Sequence, residues 1–512
     1  MYDNSFRLIS LAIQNHKVLG TNSFVFNNDL DSPEMGLKEL YSTVIIGANG
    51  IGKSFLLKVI VDIFNYIYDI NHAESMPRSL GYTFKIEYWC NGHRYIVGNN
   101  TQEIVRVNTR LVDKISCYKD GVNTGVHNCE LPEVVIASAM TVSDKYVIRG
   151  EKDKGTMYCY QGIRNEKSPG TTGTRTLVRK TVNGLIKCLK SKDGFREEIA
   201  LLLNVLNLKP SLKIRYSFRY IDEFVSSAGI MTPDLLRVIF DKKEGHFSNR
   251  KTDLWGKRKF ETIRNDEEKL SIICDYYRRM SNDERVQNNH WVITYDVFEH
   301  QIEQDYEAIS LLSDLDLLSF PSLLVEKEEQ FDFTESSSGE THLLSQMIGI
   351  MSDIRQGGLV LIDEPETSSH PNWQIKYIEW LRRIFHNYQS CHFIISTHSH
   401  FLLSDLKPAY SCIIALHRNE ETGVLENLAE DMDTYGWTTD DILYEVFHVR
   451  NPRNEALDRD LERAIHMLEG TGPMTQDEID SLLTRFRNVY LGAHDPLGKF
   501  ITEVEGYAKS RT

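Results

Sequence analysis

Apolar residues near the start of the chain alternate as in β-strands and then take the spacing of a helix. From Phe6 to Phe26 they recur at strand-like intervals, and Ser42–Gly47 is a compact, β-branched run that ends in glycine. Lys53–Ile70 places its apolar residues on a wide helical face and is too long for a strand. The pattern therefore predicts a buried strand, a tight glycine loop and a helix in succession.

Changes in the same pattern divide the rest of the chain. Residues 82–125 predict a β-meander with turns at Asn-Gly and Gly-Asn-Asn, and short amphipathic helices follow up to about residue 315. Strands then alternate with helices from Leu323 to Ser396, which indicates a parallel sheet covered by helices. The last hundred residues are predicted to be helical. The predicted fold class is therefore α/β.

Composition narrows the class of protein. Hydrophobic residues make up 41% of the 512 residues and charged residues 26%, which excludes disordered and collagen-like chains. No apolar run approaches the ~18 residues that a membrane helix needs, and the first residues lack the pattern of a secretion signal. The eight cysteines have no metal-binding spacing. We therefore expect a cytoplasmic protein with free thiols and no membrane partner.

Charge is distributed unevenly along the chain. The net charge is −15, yet residues 171–260 carry 19 Lys+Arg against 9 Asp+Glu. A basic segment of this kind favours contact with nucleic acid, because clustered cations can bind the phosphates of its backbone. The candidate contacts are Arg175, Arg179, Lys180, Lys213, Arg215, Arg219, Lys257, Arg258 and Lys259. A solvated face that balances acidic neighbours is the alternative interpretation.

A phosphate-binding motif follows the predicted buried strand. Residues 47–54 read GANGIGKS, which matches G-x-x-x-x-G-K-[ST] in the expected position between a strand and a helix. In this motif backbone N–H groups surround a phosphate, the lysine reaches the β- and γ-phosphates and the hydroxyl binds Mg²⁺. The predicted ATP-binding residues here are Gly47, Asn49, Gly50, Gly52, Lys53 and Ser54, with Ser54 also a metal ligand. A glycine-rich turn that happens to precede Lys-Ser is the alternative.

A second motif lies about three hundred residues downstream. The apolar strand Leu359–Ile362 ends in Asp363 and Glu364, which is a Walker B arrangement. Asp363 is predicted to hold Mg²⁺, and Glu364 is predicted to act as general base toward the attacking water. The two acidic residues could instead cap the following helix.

Two shorter motifs complete the set. Residues 336–340 read SSSGE and open a predicted helix, and His398 follows the apolar strand that ends at Ser396. Taken alone, the serine-rich segment is equally consistent with a helix cap, and His398 with a surface or hydrogen-bonded histidine. In this order, however, the four motifs resemble those of ABC-type ATPases, in particular the soluble branch that contains Rad50, SMC and RecF. Ser336 departs from that family, which usually has leucine at this position.

This resemblance implies a fold, a composite site and two cofactors, ATP and Mg²⁺. It implies that Ser337, Gly339 and Glu340 of one subunit close over the γ-phosphate held by another, so that the ATP site forms in a homodimer or a higher oligomer. It implies that His398 senses the γ-phosphate, and Gln161 is the candidate for the glutamine of the family's Q-loop. The implied fold is an ABC-type P-loop NTPase head with an inserted, mainly helical subdomain and a helical C-terminal region.

The predicted domains follow from this assignment. Residues 1–161 form ATPase lobe I, 162–315 the inserted basic subdomain, 316–430 ATPase lobe II and 431–512 a helical region that docks a partner. The Asp431-Met432-Asp433 spacing occurs in the Toprim nuclease domain of related ATPases, but the surrounding region is short and predicted to be helical. Nuclease activity within this chain is therefore not expected.

Further segments point to one functional class. Val134–Ala139, Tyr158–Gly162 and Tyr435–Leu443 resemble segments of bacterial anti-phage ATPases, especially the ATPase subunit of Septu-type systems. That resemblance implies an ATP-hydrolysing regulatory subunit that senses phage or foreign nucleic acid and controls a separate nuclease, of the HNH type in a Septu-like system. The alternatives are a DNA-repair or recombination ATPase of the RecF/Rad50 type and a weakly hydrolysing assembly scaffold.

Overall fold

The computed structural model forms two compact units, Met1–Thr439 and Asp440–Thr512. It describes residues 4–27, 39–72, 77–107, 110–148, 157–164, 174–192, 194–218, 228–248, 260–283, 291–299, 302–315, 317–419, 422–428, 434, 436–445, 455–472, 474–489 and 497–511. In these residues no helix is both long enough and apolar enough to cross a membrane.

The strands and helices are numbered here in chain order. The strands are β1 (Phe6–His16), β2 (Gly20–Val25), β3 (Tyr41–Gly47), β4 (Thr83–Cys90), β5 (His93–Val107), β6 (Arg110–Lys119), β7 (Val122–Asn123), β8 (Val135–Ala139), β9 (Tyr158–Gly162), β10 (Leu212–Ser217), β11 (Val292–Asp296), β12 (Ser322–Glu326), β13 (Gln330–Asp332), β14 (Leu359–Asp363), β15 (His392–Thr397), β16 (Ser411–Arg418) and β17 (Leu425–Leu428). The helices are α1 (Lys53–His72), α2 (Thr174–Ser191), α3 (Phe195–Val205), α4 (Pro233–Ser248), α5 (Glu267–Met280), α6 (Ile302–Asp314), α7 (Ser338–Asp353), α8 (Pro371–Ile384), α9 (Thr439–Glu445), α10 (Glu455–Leu468), α11 (Gln476–Arg487) and α12 (Leu497–Arg511).

A seven-stranded sheet forms the centre of the first unit. Its order is β17-β16-β3-β15-β14-β8-β9, and every neighbouring pair is parallel except β16 with β17. The strand β3, the loop after it and α1 occur as predicted. Parallel strands joined by helices confirm the predicted α/β fold class, and the glycine loop between β3 and α1 makes it a P-loop fold.

An antiparallel sheet of order β2-β1-β4-β5-β6-β7 packs on one face of α1 and of the central sheet. Phe64 of α1 and Tyr88 of β4 have ring centroids 5.5 Å apart, and Leu361 of β14 belongs to the same buried cluster. The Asn91–Gly92 turn between β4 and β5 has positive φ at both residues, as a two-residue hairpin loop requires. The two sheets and α1 therefore share one apolar core.

The predicted turn at Gly98-Asn99-Asn100 is wrong. Gly98 lies inside β5 and pairs with Lys85 and Ser116, and the irregularity is a shift of register between Asn100 and Ile104. A strand can accommodate glycine and asparagine when a bulge takes up the extra residues. Sequence pattern alone does not separate such a bulge from a turn.

The inserted segment is less purely helical than predicted. It also contains β10 and β11, which form a sheet of order β11-β10-β12-β13 with strands beyond the predicted boundary at residue 315. Leu212, Ile214 and Tyr216 are buried on one face of β10. This short alternation of apolar and basic residues is the period-2 pattern of a half-buried strand, so the prediction of a basic helical region is wrong at this segment.

The helix α7 carries the serine-glycine motif at its N-terminus and is buried along most of its length. Helix α2 packs against it, and a Cβ on Gly184 would lie only 3.2 Å from the Ile348 side chain. The hydroxyl of Thr181 donates to that of Ser345 at 2.8 Å. These contacts attach the first helix of the insert to the motif helix.

The second unit is helical, as predicted for the end of the chain. Its core is formed by α10, α11 and α12, with Met467, Leu482, Phe486 and Val504 buried. Thr475 caps α11 in a capping box with Glu478.

Candidate nucleotide-binding site

Four predicted motifs meet at or beside the carboxyl edge of the central sheet. The register aligns Asp363 at the end of β14 with Ser396 of β15, and Thr397 of β15 with Ile46 of β3. Because parallel strands end at the same edge, the phosphate loop, the Walker B residues and His398 come together there. The structure thus joins residues that lie more than three hundred positions apart.

The loop between β3 and α1 depends on glycine. Gly47, Gly50 and Gly52 have φ of 152°, 74° and 122°, which residues with a side chain rarely adopt. A Cβ on Gly47 would also lie 2.6 Å from the backbone oxygen of Leu416. Asn49 is exposed on the loop. Helix α1 begins at Lys53, where the loop ends, so the N–H groups of its first turn lie next to the loop.

Lys53 is buried beneath this loop. Its Nζ donates to the carbonyl oxygens of Gly47 and Ala48 at 2.7 and 3.2 Å, and it lies 2.9 Å from Nδ1 of His398. Burial lowers the pKa of Lys53 to about 8, although the carboxylates of Glu364, Glu366 and Asp363 act in the opposite direction. The ammonium group is therefore held among carboxylates at the position where the motif requires a phosphate-binding cation.

Asp363 is the metal-ligand candidate of the site. Its Oδ1 accepts hydrogen bonds from the hydroxyls of Ser54, at 3.0 Å, and of Ser396. Burial raises the pKa of Asp363 to about 6, against the effect of these two hydrogen bonds. A carboxylate and a hydroxyl in contact are hard oxygen donors of the kind that Mg²⁺ prefers. The pair Ser54 and Asp363 therefore fits this ion.

Glu364 lies beside the metal-ligand candidate in a strained conformation. Its φ is +50°, its N–H donates to the Ser396 carbonyl at 3.0 Å, and its Oε1 is 3.1 Å from Nε2 of His398. The hydrogen bond from His398 is the main reason that the pKa of Glu364 is lowered. An ionised, partly exposed carboxylate at this position can accept a proton from water. Backbone strain of this kind is common where a site fixes a side chain.

Within this chain, the serine-glycine motif has two structural parts. It caps the N-terminus of α7, and it packs against the turn that follows Walker B. Ser337 caps α7, its N–H donates to Oε2 of Glu340 at 3.0 Å, and its hydroxyl accepts from the Glu340 N–H at 3.2 Å. Oε1 of Glu340 accepts from Lys327 at 2.7 Å. A Cβ on Gly339 would lie 2.6 Å from the backbone oxygen of Ser368. Glycine is thus required for the approach of α7 to that turn.

Gln161 lies on β9, which is separated from β14 by β8. Its amide nitrogen donates to Asp353 and, at 3.4 Å, to Ser352, both at the C-terminal end of α7. The structure therefore places Gln161 against the motif helix. Its assignment to the Q-loop stays a prediction.

Two of the candidate nucleic-acid contacts are engaged within the protein. Lys180 donates to the carbonyl oxygens of Gly162, at 2.7 Å, and Arg164. The guanidinium of Arg179 lies 5.6 Å from the ring centre of Phe320. The other described candidates are the exposed Arg175 and Arg215 and the half-buried Lys213. Arg219, Lys257, Arg258 and Lys259 lie outside the described residues, as does the Asp431–Asp433 segment.

The sequence interpretation missed two residues at the site. Ser396 donates to Asp363, and a carboxyl oxygen of Glu366 accepts the N–H of His398 at 2.5 Å. Both lie next to predicted residues, in a strand end and in the turn after Walker B. Only the pairing of β14 with β15 shows that they face the site.

Comparison with known proteins is consistent with a nucleotide-binding domain. Residues 187–404, less than half of the chain, match the family model "AAA domain, putative AbiEii toxin, Type IV TA system". The match includes the serine-glycine motif, Walker B and His398 and begins after the phosphate loop. Residues 187–404 are therefore similar to an AAA domain.

Solved structures give weaker similarities. The recombination mediator protein RecF bound to ATPrS is 13% identical, with 83% of this chain and 99% of that chain covered and a TM-score of 0.30. The SMC head domain from Thermotoga maritima is 11% identical, with 83% and 100% covered and a TM-score of 0.32. The Smc head domain from Pyrococcus yayanosii is 10% identical, with 87% and 100% covered and a TM-score of 0.33.

Proposed function

We propose that the chain is a magnesium-dependent ATPase whose turnover regulates a separate effector, a nuclease, in bacterial anti-phage defence. The observation that carries the ATPase proposal is the convergence of Lys53, Ser54, Asp363, Glu364 and His398 at one edge of the central sheet. Each of these side chains has a distinct part in phosphoryl transfer to water. The defence role rests on the resemblances in the sequence.

The chain's own groups account for the reaction as follows. The loop N–H groups and Lys53 bind the phosphates, and Ser54 and Asp363 would hold Mg²⁺, which neutralises charge on the phosphate oxygens when bound. Glu364 accepts a proton from a water molecule, and the oxygen of that water molecule attacks the γ-phosphorus. The bond between the γ-phosphorus and the bridging oxygen breaks, and ADP and phosphate leave. His398 contacts both Glu364 and Lys53 and thus links the base to the phosphate-binding cation.

A second copy of the chain is the proposed source of the remaining contacts to the γ-phosphate. Ser337 and Ser338 are exposed at the N-terminus of α7, a helix of 16 residues. The exposed N-terminus of a helix attracts a phosphate through its N–H groups and its dipole. We therefore expect ATP to join two subunits through this surface and hydrolysis to release them.

The ATPase proposal is tested by phosphate release from wild type and from Glu364→Gln. Loss of the general base should lower turnover at least ~100-fold while ATP still binds. Glu307→Gln, which changes an exposed carboxylate on α6, is the matched control and should keep wild-type turnover. Unchanged turnover in Glu364→Gln would disprove the assignment.

The composite site is tested with the same variant by light scattering after size-exclusion chromatography. Glu364→Gln should form an ATP-dependent dimer, because bound ATP is no longer consumed. Adding Ser337→Ala should weaken that dimer, whereas the neighbouring exposed Ser338→Ala should not. A monomer in saturating ATP and Mg²⁺ would contradict the composite site.

The defence role is tested by purification of the tagged chain from its own chromosomal neighbourhood, with and without ATP. The separate effector is proposed from the resemblance of three segments to anti-phage ATPases. A stoichiometric nuclease partner, identified by mass spectrometry, is the expected result. Recovery of the chain alone or with recombination proteins would favour the alternative, a DNA-repair ATPase. Turnover that DNA stimulates without any effector would favour it as well.

A further inference from the structure

Glu366 has an enclosed carboxyl group in the turn that follows Walker B. Its Oε1 accepts the backbone N–H of His398 at 2.5 Å, and burial raises its pKa. Oε2 is buried and, in the described part of the chain, makes no hydrogen bond that meets normal geometry. Glu366 lines a small pocket together with mostly apolar residues, among them Leu343, Pro365, Trp373, Trp380 and Leu402. Enclosing a carboxyl group in such surroundings has an energetic cost that a purely apolar residue would avoid.

The hydrogen bond from the His398 N–H is one of several described contacts between the end of β15 and the Walker B turn. Glu364 donates its N–H to the Ser396 carbonyl at 3.0 Å, and His398 donates its N–H to Glu366 two residues further along. The end of β15 is thus joined to the Walker B turn at two successive points. A hydrogen bond to a carboxylate is shorter and stronger than one to a neutral oxygen.

The position of the His398 backbone determines what its ring can reach. The ring nitrogens lie 2.9 Å from Nζ of Lys53 and 3.1 Å from Oε1 of Glu364. A displacement of about 1 Å would break both contacts, and errors of this size in a catalytic site can reduce rates ~100-fold. Glu366 itself makes no described hydrogen bond to the phosphate loop.

We propose that Glu366 is a positioning residue that fixes His398 between Lys53 and Glu364. This inference rests on the proposed ATPase function and adds a residue to it. Glu366 acts through the backbone of His398, and the essential feature is an oxygen that accepts the His398 N–H. A glutamine at this position retains such an oxygen, whereas an alanine does not.

The test compares Glu366→Ala with Glu366→Gln in steady-state phosphate release. We expect Glu366→Ala to lower kcat ~10- to 100-fold per folded molecule while KM for ATP changes less than ~3-fold, because the phosphate loop is intact. Glu366→Gln should recover most of the lost kcat. Glu198→Ala removes another buried carboxyl with a raised pKa, on α3, and is the matched control; its kcat should equal that of wild type.

A second measurement does not depend on turnover. Hydrogen exchange of peptides that cover residues 392–402 should be faster in Glu366→Ala than in wild type, and close to wild type in Glu366→Gln. If wild type releases no phosphate, the ATPase proposal fails, while the exchange rates still test the anchor on His398. The positioning proposal is overturned by a wild-type kcat in Glu366→Ala, by a loss of kcat matched by an equal rise in KM, by a glutamine variant as impaired as alanine, or by unchanged exchange.

Discussion

The three glycines of the phosphate loop should differ strongly in their sensitivity to alanine. Gly50 has φ of +74° and no atom within 4 Å of an added Cβ, so Gly50→Ala introduces only backbone strain, about 1–2 kcal/mol. Gly47 has φ of +152°, and its Cβ would lie 2.6 Å from the Leu416 oxygen. Leu416 pairs with Gly47 between β16 and β3, so neither backbone can move without disturbing the sheet.

The predicted cost at Gly47 is therefore the sum of two effects. Backbone strain contributes about 1–3 kcal/mol and overpacking about 1–3 kcal/mol more. Gly47→Ala should lose about 2–6 kcal/mol of the free energy of unfolding, and should exceed the loss in Gly50→Ala by the overpacking contribution of about 1–3 kcal/mol. Gly52→Ala should fall between them, because its Cβ would meet the end of the Leu19 side chain at 3.0 Å, which can move.

Urea unfolding without nucleotide, followed by tryptophan fluorescence, measures these differences. All six tryptophans of the sequence lie before residue 440, so the signal reports only on the first unit. The slopes of the transitions must agree if the midpoints are to be compared as free energies. Equal stabilities of Gly47→Ala and Gly50→Ala, within ~0.5 kcal/mol, would refute the steric argument.

Two further predictions concern buried charges. Arg7 donates hydrogen bonds to the backbone oxygens of Phe6 and Cys391. Arg7→Met should lower the free energy of unfolding by about 2–4 kcal/mol, because these buried acceptors lose their donors. A loss below ~1 kcal/mol in urea unfolding would contradict this prediction. Burial raises the pKa of Glu198, so the folded chain binds the proton of this carboxyl group more tightly than the unfolded chain does. As the pH rises through about 4.5, the pKa of the group in the unfolded chain, the folded chain therefore loses stability. Glu198→Gln should therefore be at least as stable as wild type at pH 7 and lose this advantage below pH ~4, and thermal unfolding that shows the reverse order would disprove the sign.

The local sequence pattern was sufficient to predict a motif wherever the strand and helix that position it are adjacent to it in the sequence. The strand, glycine loop and helix that contain Lys53 follow one another within 32 residues, and the Walker B strand carries its carboxylates at its own end. Strand and helix periods are properties of short segments, so these elements could be predicted without tertiary information.

Short irregular segments were harder to predict. The strands β10 and β11 and the bulge in β5 were missed, since a few alternating residues do not distinguish a strand from its alternatives. The charge count of the basic segment likewise did not reveal that Lys180 and Arg179 are used inside the protein. Engagement of a cation depends on neighbours that are distant in sequence.

The assembly of the site was decided only by the tertiary structure. Parallel pairing of β14 with β15 brings Ser396 onto Asp363 and the His398 backbone onto Glu366. Neither contact has a periodic signal in the sequence, because strand order and register are set by burial of the whole sheet. The sequence by itself therefore determined which residues carry the chemistry of phosphate binding, and packing of the sheet determined which groups hold those residues in place.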